Sequence, residues 1–206
     1  VELSFLPEDA PFPFTVDWYR ERHHAPHLEQ GAHHARLYMA AGYAFDFTNK
    51  KNMTSVVDLG CGDGGLLYLI SELLRAVTEE DDVELWGYDL MPANVEHGRW
   101  GRGMDVRYCD FEHDPIEWAD VCVITECLEH LRDPHAMVRR IFENAKAVVA
   151  SSPSRENAES HDECHIWAWD MEGYREMFEK AGFTVLQHEI ADPDGYGFQV
   201  LKATVL

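Results

Sequence analysis

The chain has 206 residues, of which 46% are hydrophobic and 27% charged, values that exclude disordered, collagen-like and coiled-coil classes. No apolar run approaches the ~20 residues needed to cross a bilayer, and the opening Val1-Glu2-Leu3-Ser4 has neither the basic start nor the apolar stretch of a signal peptide. The net charge of −21, from 38 acidic and 17 basic residues, repels polyanions and disfavours nonspecific nucleic-acid binding. Five cysteines (Cys61, Cys109, Cys122, Cys127, Cys164), odd in number and without a Cys-x-x-Cys pair, argue against a disulfide scaffold or a Cys-rich zinc module and fit a reducing cytoplasm.

Residues 1–50 read as an N-terminal helical cap, and residues 51–206 as the main domain. A Pro-punctuated stretch at 6–14 precedes a helical pattern from about Asp17, which is interrupted at Pro26 and resumes through His33, Leu37, Met39 and Phe45. From Thr54 onward strand-like runs at 55–59, 83–88, 105–108, 120–124 and 147–150 alternate with helical stretches near 65–77, 92–98 and 134–144. A helix at 171–181, with Gly182 as its stop, then leads to two strands at 184–188 and 199–203. The link between these strands, Ala191 to Gly197, is too short for a crossover helix and suits an antiparallel hairpin. The expected fold is α/β and doubly wound, a mostly parallel seven-stranded sheet that ends in an antiparallel hairpin.

The strongest local pattern is Val56-Val57-Asp58-Leu59-Gly60-Cys61-Gly62-Asp63-Gly64-Gly65-Leu66-Leu67, a buried strand running through a glycine turn into an apolar helix. Gly60, Gly62 and Gly65 satisfy the dinucleotide fingerprint, so a nicotinamide-dependent dehydrogenase is one reading. Charge opposes it. A pyrophosphate needs amide donors and no nearby anions, whereas Asp58 and Asp63 flank this turn and suit a cation. S-adenosylmethionine carries an ammonium and a sulfonium, and its carboxylate can still use the loop amides.

Here the sequence resembles the class I S-adenosylmethionine-dependent methyltransferases, whose first motif reads acidic-x-Gly-x-Gly-x-Gly, as in Asp58-Leu59-Gly60-Cys61-Gly62-Asp63-Gly64. The resemblance runs from about Thr54 to the C-terminus and implies a Rossmann-like fold. It also implies that Asp58, Gly60, Cys61, Gly62 and Gly64 hold the methionine end of the cofactor. By the same resemblance Asp89 accepts the ribose hydroxyls and Leu90, with Met91, packs on the adenine. Asp110 and the Phe111 amide meet the adenine edge, and Thr125-Glu126, of which Glu126 also belongs to the cofactor-binding set, opens towards the acceptor.

The next segment, Glu126-Cys127-Leu128-Glu129-His130, places two carboxylates and an imidazole on one face if it is helical. Such a set can bind Mg2+, Mn2+ or Zn2+, or supply a general base. It is similar to a stretch that holds a metal in ubiquinone-pathway O-methyltransferases and in small-RNA 3′-end 2′-O-methyltransferases, the latter adding a later histidine. His165, followed by Trp167 and Trp169, matches that addition, and His161 is a substitute four residues earlier. The metal set is thus Glu126, Glu129, His130 and His165; the base candidates are His130, Glu126 and His165. A structural role for the same histidine and tryptophans, as a pocket wall, is the competing reading.

In the cap, His23, His24, His27, His33 and His34 crowd together, and His23 and His27 have the spacing that chelates zinc on a helix, with Pro26 between them opposing the helix. Tyr19, His23, His33 and Tyr38, together with Trp18 and Trp167, are candidates to line an acceptor pocket. The expected activity is methyl transfer from S-adenosylmethionine to an oxygen or nitrogen of a small molecule. The alternatives are a metal-dependent RNA 3′-end 2′-O-methyltransferase, which the acidic charge disfavours, and a noncatalytic cofactor-binding relative.

Overall fold

The computed structural model describes residues 1–7, 10–22, 24–51, 53–77, 83–192 and 194–205. The chain opens with β1 (Glu2–Ser4) and the short helix α1 (Val16–Arg20), whose cap is the Thr15 hydroxyl accepting from the Trp18 amide at 3.2 Å. Irregular chain and a 3-10 turn at His27–Glu29 lead into the long helix α2 (Gly31–Lys51). Alternation then sets in with β2 (Ser55–Leu59), α3 (Gly65–Arg75), β3 (Glu84–Asp89), α4 (Pro92–His97), β4 (Val106–Tyr108) and β5 (Val121–Thr125). The second half comprises α5 (Pro134–Asn144), β6 (Ala147–Pro153), β7 (Trp167–Trp169), α6 (Met171–Ala181), β8 (Thr184–Ala191) and β9 (Phe198–Thr204).

Seven strands form one sheet in the order β4-β3-β2-β5-β6-β9-β8. Its pairs are parallel except β6–β9 and β8–β9, so the expected mostly parallel sheet closing in an antiparallel hairpin is the observed architecture. The central strands are covered on both faces, which is why β5 and β6 are buried along their whole length and read as near-continuous apolar runs. On one face Leu37, Ala40, Ala44 and Phe47 of α2 and Leu66 and Ile70 of α3 pack against Val56, Val123, Val149 and Val200. On the other, Val138 and Ile141 of α5 and Tyr174 and Phe178 of α6 pack against Val57, Ile124, Val148 and Leu201.

Helix α2 is therefore part of the sheet's covering layer, and the boundary expected at residue 50 falls at its last turn. A second, two-stranded sheet pairs β1 with β7, Glu2 opposite Trp169 and Ser4 opposite Trp167, a long-range pairing that no local pattern announces. No helix among the described residues is long and apolar enough to cross a membrane.

Strand β2 pairs with β3 on one side and β5 on the other, all parallel, so the order of the chain through the sheet reverses there. The crevice beyond the carboxyl ends at such a reversal is where open α/β sheets bind ligands.

Candidate active site

A cavity of about 210 Å3, open to solvent, occupies that crevice. Its floor comes from the ends of β2 and β3 and the turns after β4 and β5, and Tyr19, Ala25, His27 and Leu28 fold over it from the N-terminal segment.

At the glycine-turn end, Gly60 adopts φ 70° and donates its amide to the Tyr88 carbonyl at 2.9 Å. A Cβ at Gly60 would meet Cys127 Sγ at 2.7 Å, so the turn after β2 and the turn after β5 touch only because this residue has no side chain. Gly62, at φ 56°, has no atom within 4 Å of its Cβ position, so its backbone stands open to a ligand. Gly64, also at positive φ, caps α3 and is not part of the cavity wall. Burial pushes the Cys61 thiol well above its ordinary range.

Asp58 lies at the end of β2, fully buried, with Oδ1 lacking any hydrogen-bond partner among the described residues. Burial, and then the nearby Asp89 charge, raise its pKa well above the usual carboxylate range. Asp89, at the end of β3, accepts from the Gly62 and Met91 amides at 2.8 Å each and from Asn94 Nδ2 at 3.2 Å. Burial raises its pKa to about 6 against those donors. Leu90, Met91, Cys109, Asp110 and Phe111 continue the wall, with Asp110 Oδ2 lying 3.0 Å from His113 Nδ1.

Asp63 differs from the expectation that it confronts a ligand as an open anion. Its Oδ2 lies 2.8 Å from Arg102 Nη2 and 2.8 Å from His24 Nε2, and its Oδ1 accepts from the Gly65 amide. Although burial opposes ionisation, these partners hold its pKa below the usual value. The uncompensated acidity of this end therefore comes from Asp58 and Asp89.

Arg36 also reaches the cavity, a residue the sequence reading did not single out. It is 2% exposed on α2, and its hydrogen bonds are long, Nε to His33 Nδ1 and Nη1 to Thr125 Oγ1, each 3.4 Å. Arg36 shares the buried stripe of α2 with Ala40, Ala44 and Phe47, so a lone cation on an apolar helical face is the signal that would have found it. It favours ionisation of Asp58, Glu126 and Glu129, while contributing to the depression of the His27 pKa to about 4, chiefly a burial effect.

The segment after β5 is not an α-helix, so the expected shared face of Glu126, Glu129 and His130 does not form. Glu126 turns through φ 50° while its amide donates to the Ser151 carbonyl, and only Leu128–His130 make a 3-10 turn. Glu126 lines the cavity and accepts from Ser151 Oγ at 2.8 Å. Burial raises its pKa, with Arg36 and Ser151 opposing the shift. Glu129 is fully buried instead, and neither carboxylate oxygen has a hydrogen-bond partner among the described residues. Burial, then Glu126, raise its pKa well above the ordinary range.

Glu129, His130 and His165 each offer a ligand atom within 4.8 Å of the others, without Glu126. His130 Nδ1 is 2.9 Å from the Cys164 carbonyl oxygen, and burial, then His165, depress its pKa to about 4, leaving a neutral imidazole near pH 7. His161 does not substitute for His165: it is exposed and stacks on Phe5 with ring centroids 3.8 Å apart.

Of the residues expected to line an acceptor pocket, Tyr19 does so, and burial raises its phenol pKa. Tyr38 does not: it is 57% exposed on the outer face of α2, against His34. His33 sits behind the wall between His27 and Phe198. Trp18 packs with Phe14, Tyr19 and Arg22. Trp167 stacks on Trp169 and donates its indole N–H to the Leu131 carbonyl, which commits it to packing. His23, and with it the proposed His23–His27 chelate, lies outside the described residues.

A family described as a methyltransferase domain matches residues 32–188. Among solved structures, the magnesium protoporphyrin IX methyltransferase of Synechocystis PCC 6803 with bound SAH is 12% identical, with a TM-score of 0.67 and 91% of each chain covered. The plantazolicin methyltransferase BpumL in complex with SAH is 12% identical, with a TM-score of 0.64 and 86% of each chain covered. Human N-acetylserotonin methyltransferase in complex with SAM is 15% identical, with a TM-score of 0.61 over 86% of this chain and 54% of that one. No curated protein sequence matches the chain.

Proposed function

The chain belongs to the methyltransferase-domain family, class I enzymes that use S-adenosylmethionine, and from that premise we propose that it methylates an oxygen or nitrogen of a small-molecule acceptor held at the Glu126 end of the cavity. The observation that carries this reading is the polarity of the cavity. Two buried carboxylates, Asp58 and Asp89, line it beside Gly62, and among the described residues no carboxylate is hydrogen-bonded to the Arg36 guanidinium. A ligand with a cationic centre and a carboxylate compensates both charges, which a pyrophosphate cannot do.

In this reading Asp58 faces the cationic part of the methionine moiety, while Arg36 receives its carboxylate. Asp89 accepts from the ribose, and Asp110 with the Phe111 amide meets the adenine. The sulfonium already makes the methyl group electrophilic, so the protein's main task is to align the acceptor with the sulfur–carbon bond. Glu126 removes the acceptor proton: it lines the cavity, and burial raises its basicity above that of an ordinary carboxylate.

The second candidate base, His130, and the third, His165, fit a different task. With Glu129 they form the site of a divalent cation: the Glu129 carboxylate is buried and without a hydrogen-bond partner among the described residues, and each imidazole has Nδ1 bonded to an oxygen acceptor, leaving Nε2 to ligate. Two nitrogens and one carboxylate suit Mn2+ or Zn2+ better than Mg2+. Such an ion, when bound, supplies Lewis acidity that lowers the pKa of an acceptor hydroxyl. Glu126 lies outside this set. The five free cysteines accord with a reducing compartment such as the cytoplasm.

The test is conversion of S-adenosylmethionine to S-adenosylhomocysteine across a panel of small hydroxyl and amine acceptors. Glu126→Gln is expected to lower turnover by about 100-fold or more while S-adenosylhomocysteine affinity stays within a few-fold. Undiminished turnover in that variant rejects Glu126 as the base. Wild-type turnover unaffected by thorough chelation rejects a requirement for the cation.

A further inference from the structure

We propose that Glu156 is a positioning residue, whose carboxylate locks His165 in the tautomer that presents a bare Nε2 for a divalent cation shared with Glu129 and His130. The inference rests on the cation reading above and concerns a residue with no part in the cavity wall. Both Glu156 oxygens lie 2.7 Å from His165 Nδ1, and the two side chains are nearly buried. An ionised carboxylate only accepts hydrogen bonds, so Nδ1 carries the proton and Nε2 keeps its lone pair.

Glu156 is itself held in place: its Oε1 accepts from the Asp162 amide at 3.0 Å and from the Tyr196 hydroxyl at 3.4 Å. The loop bearing His165 is tied to the opposite side of the cluster, with the Ile166 amide donating to the Glu129 carbonyl at 2.8 Å and His130 Nδ1 meeting the Cys164 carbonyl. The His130 and His165 rings meet edge to face, centroids 4.7 Å apart, and beside them lies Glu129, neither of whose oxygens has a hydrogen-bond partner among the described residues. Two imidazoles oriented through Nδ1, one by a carboxylate and one by a backbone carbonyl, form the outer shell that metal-ligating histidines require. A merely structural His165–Glu156 ion pair accounts for neither the buried, empty-handed Glu129 nor the parallel arrangement at His130.

The experiment uses the full chain with 15N-labelled histidine, in Glu156→Leu and Glu156→Gln variants, and titration with MnCl2 or ZnCl2 alone. The wild type is expected to show His165 protonated at Nδ1. Glu156→Leu shifts it towards protonation at Nε2 and weakens cation binding by about 10–100-fold. Glu156→Gln, whose amide oxygen still accepts, retains the wild-type tautomer and most of the affinity. Undiminished S-adenosylhomocysteine affinity in both variants establishes that the fold is intact. Glu156→Leu with the wild-type tautomer, or with wild-type cation affinity, overturns the proposal. A wild-type chain that takes up neither cation overturns the cation reading by itself, and the tautomer comparison still decides whether Glu156 orients His165.

Discussion

The two ends of the cavity reach comparable burial by different routes. At the glycine-turn end, Asp58, Gly60, Gly62 and Asp89 belong to one β-α-β unit, and their side chains are aimed by adjacent parallel strands in register, Asp58 opposite Gly87 and Leu59 opposite Tyr88. At the Glu126 end, the polar groups arrive from β5, the loop before β7 and helix α2, and they meet only because those elements pack together. The first end is pre-organised by backbone geometry that one strand pair dictates. The second depends on long-range packing, so single substitutions there should separate binding from turnover.

The largest expected effect tests the pre-organised end. Asp89→Ala removes the proposed acceptor of two ribose hydroxyls, and with hydrogen bonds to a charged group worth about 1.5–3 kcal/mol each, S-adenosylhomocysteine affinity should fall by about 100-fold or more. Calorimetry showing unchanged affinity breaks the ribose assignment. Gly60→Ala comes next, because its Cβ would lie 2.7 Å from Cys127 Sγ at φ 70°. A loss of about 2 kcal/mol or more in denaturant unfolding is expected, against about 1 kcal/mol for Gly62→Ala, where only the backbone preference is violated. Equal losses at the two positions would mean that the contact between the turns is not tight.

Arg36→Met sharpens the contrast from the packed side. If the guanidinium receives the methionine carboxylate, the preference of the protein for S-adenosylhomocysteine over methylthioadenosine, which lacks that group, should shrink about tenfold. An unchanged preference assigns Arg36 a purely structural role.

A smaller effect is expected with pH. Burial raises the Asp89 pKa from 3.8 to about 6, so the native carboxyl keeps its proton to higher pH than the unfolded chain does. Ionising it costs native stability as pH rises from about 4 to 6 in the free protein. Ribose hydroxyls need the ionised acceptor, so ligand affinity should rise through pH 6, and Asp89→Asn should flatten that rise. Tyr38→Ala, on the exposed face of α2, should change stability by less than about 0.5 kcal/mol and leave affinity unaltered.

The legible parts of the molecule were those written in contiguous residues. Val56–Leu59 reads as a buried strand, the glycines as a turn into an apolar helix, and Gly182 as a helix stop, because strand period, turn chemistry and capping act within a few residues. The helical reading of 126–130 failed because the Glu126 backbone, held by the Ser151 carbonyl of a neighbouring strand, takes a left-handed turn that no helical spacing foretells. Tyr38 was misplaced for a related reason: its residue type suits a pocket wall, and its position on the helix faces outward.

Composition and local pattern alone determined a doubly wound α/β chain with acidic residues at successive strand ends, since each of those features is decided by neighbours in sequence. Tertiary structure alone decided that Asp63 is neutralised by Arg102, that Arg36 enters the cavity, and that Glu129, His130 and His165 converge without Glu126. Those outcomes depend on side chains from remote segments meeting when the elements that carry them pack together. Such meetings are set by packing, which the order of the residues signals only indirectly, as the lone cation on the apolar face of α2 does for Arg36.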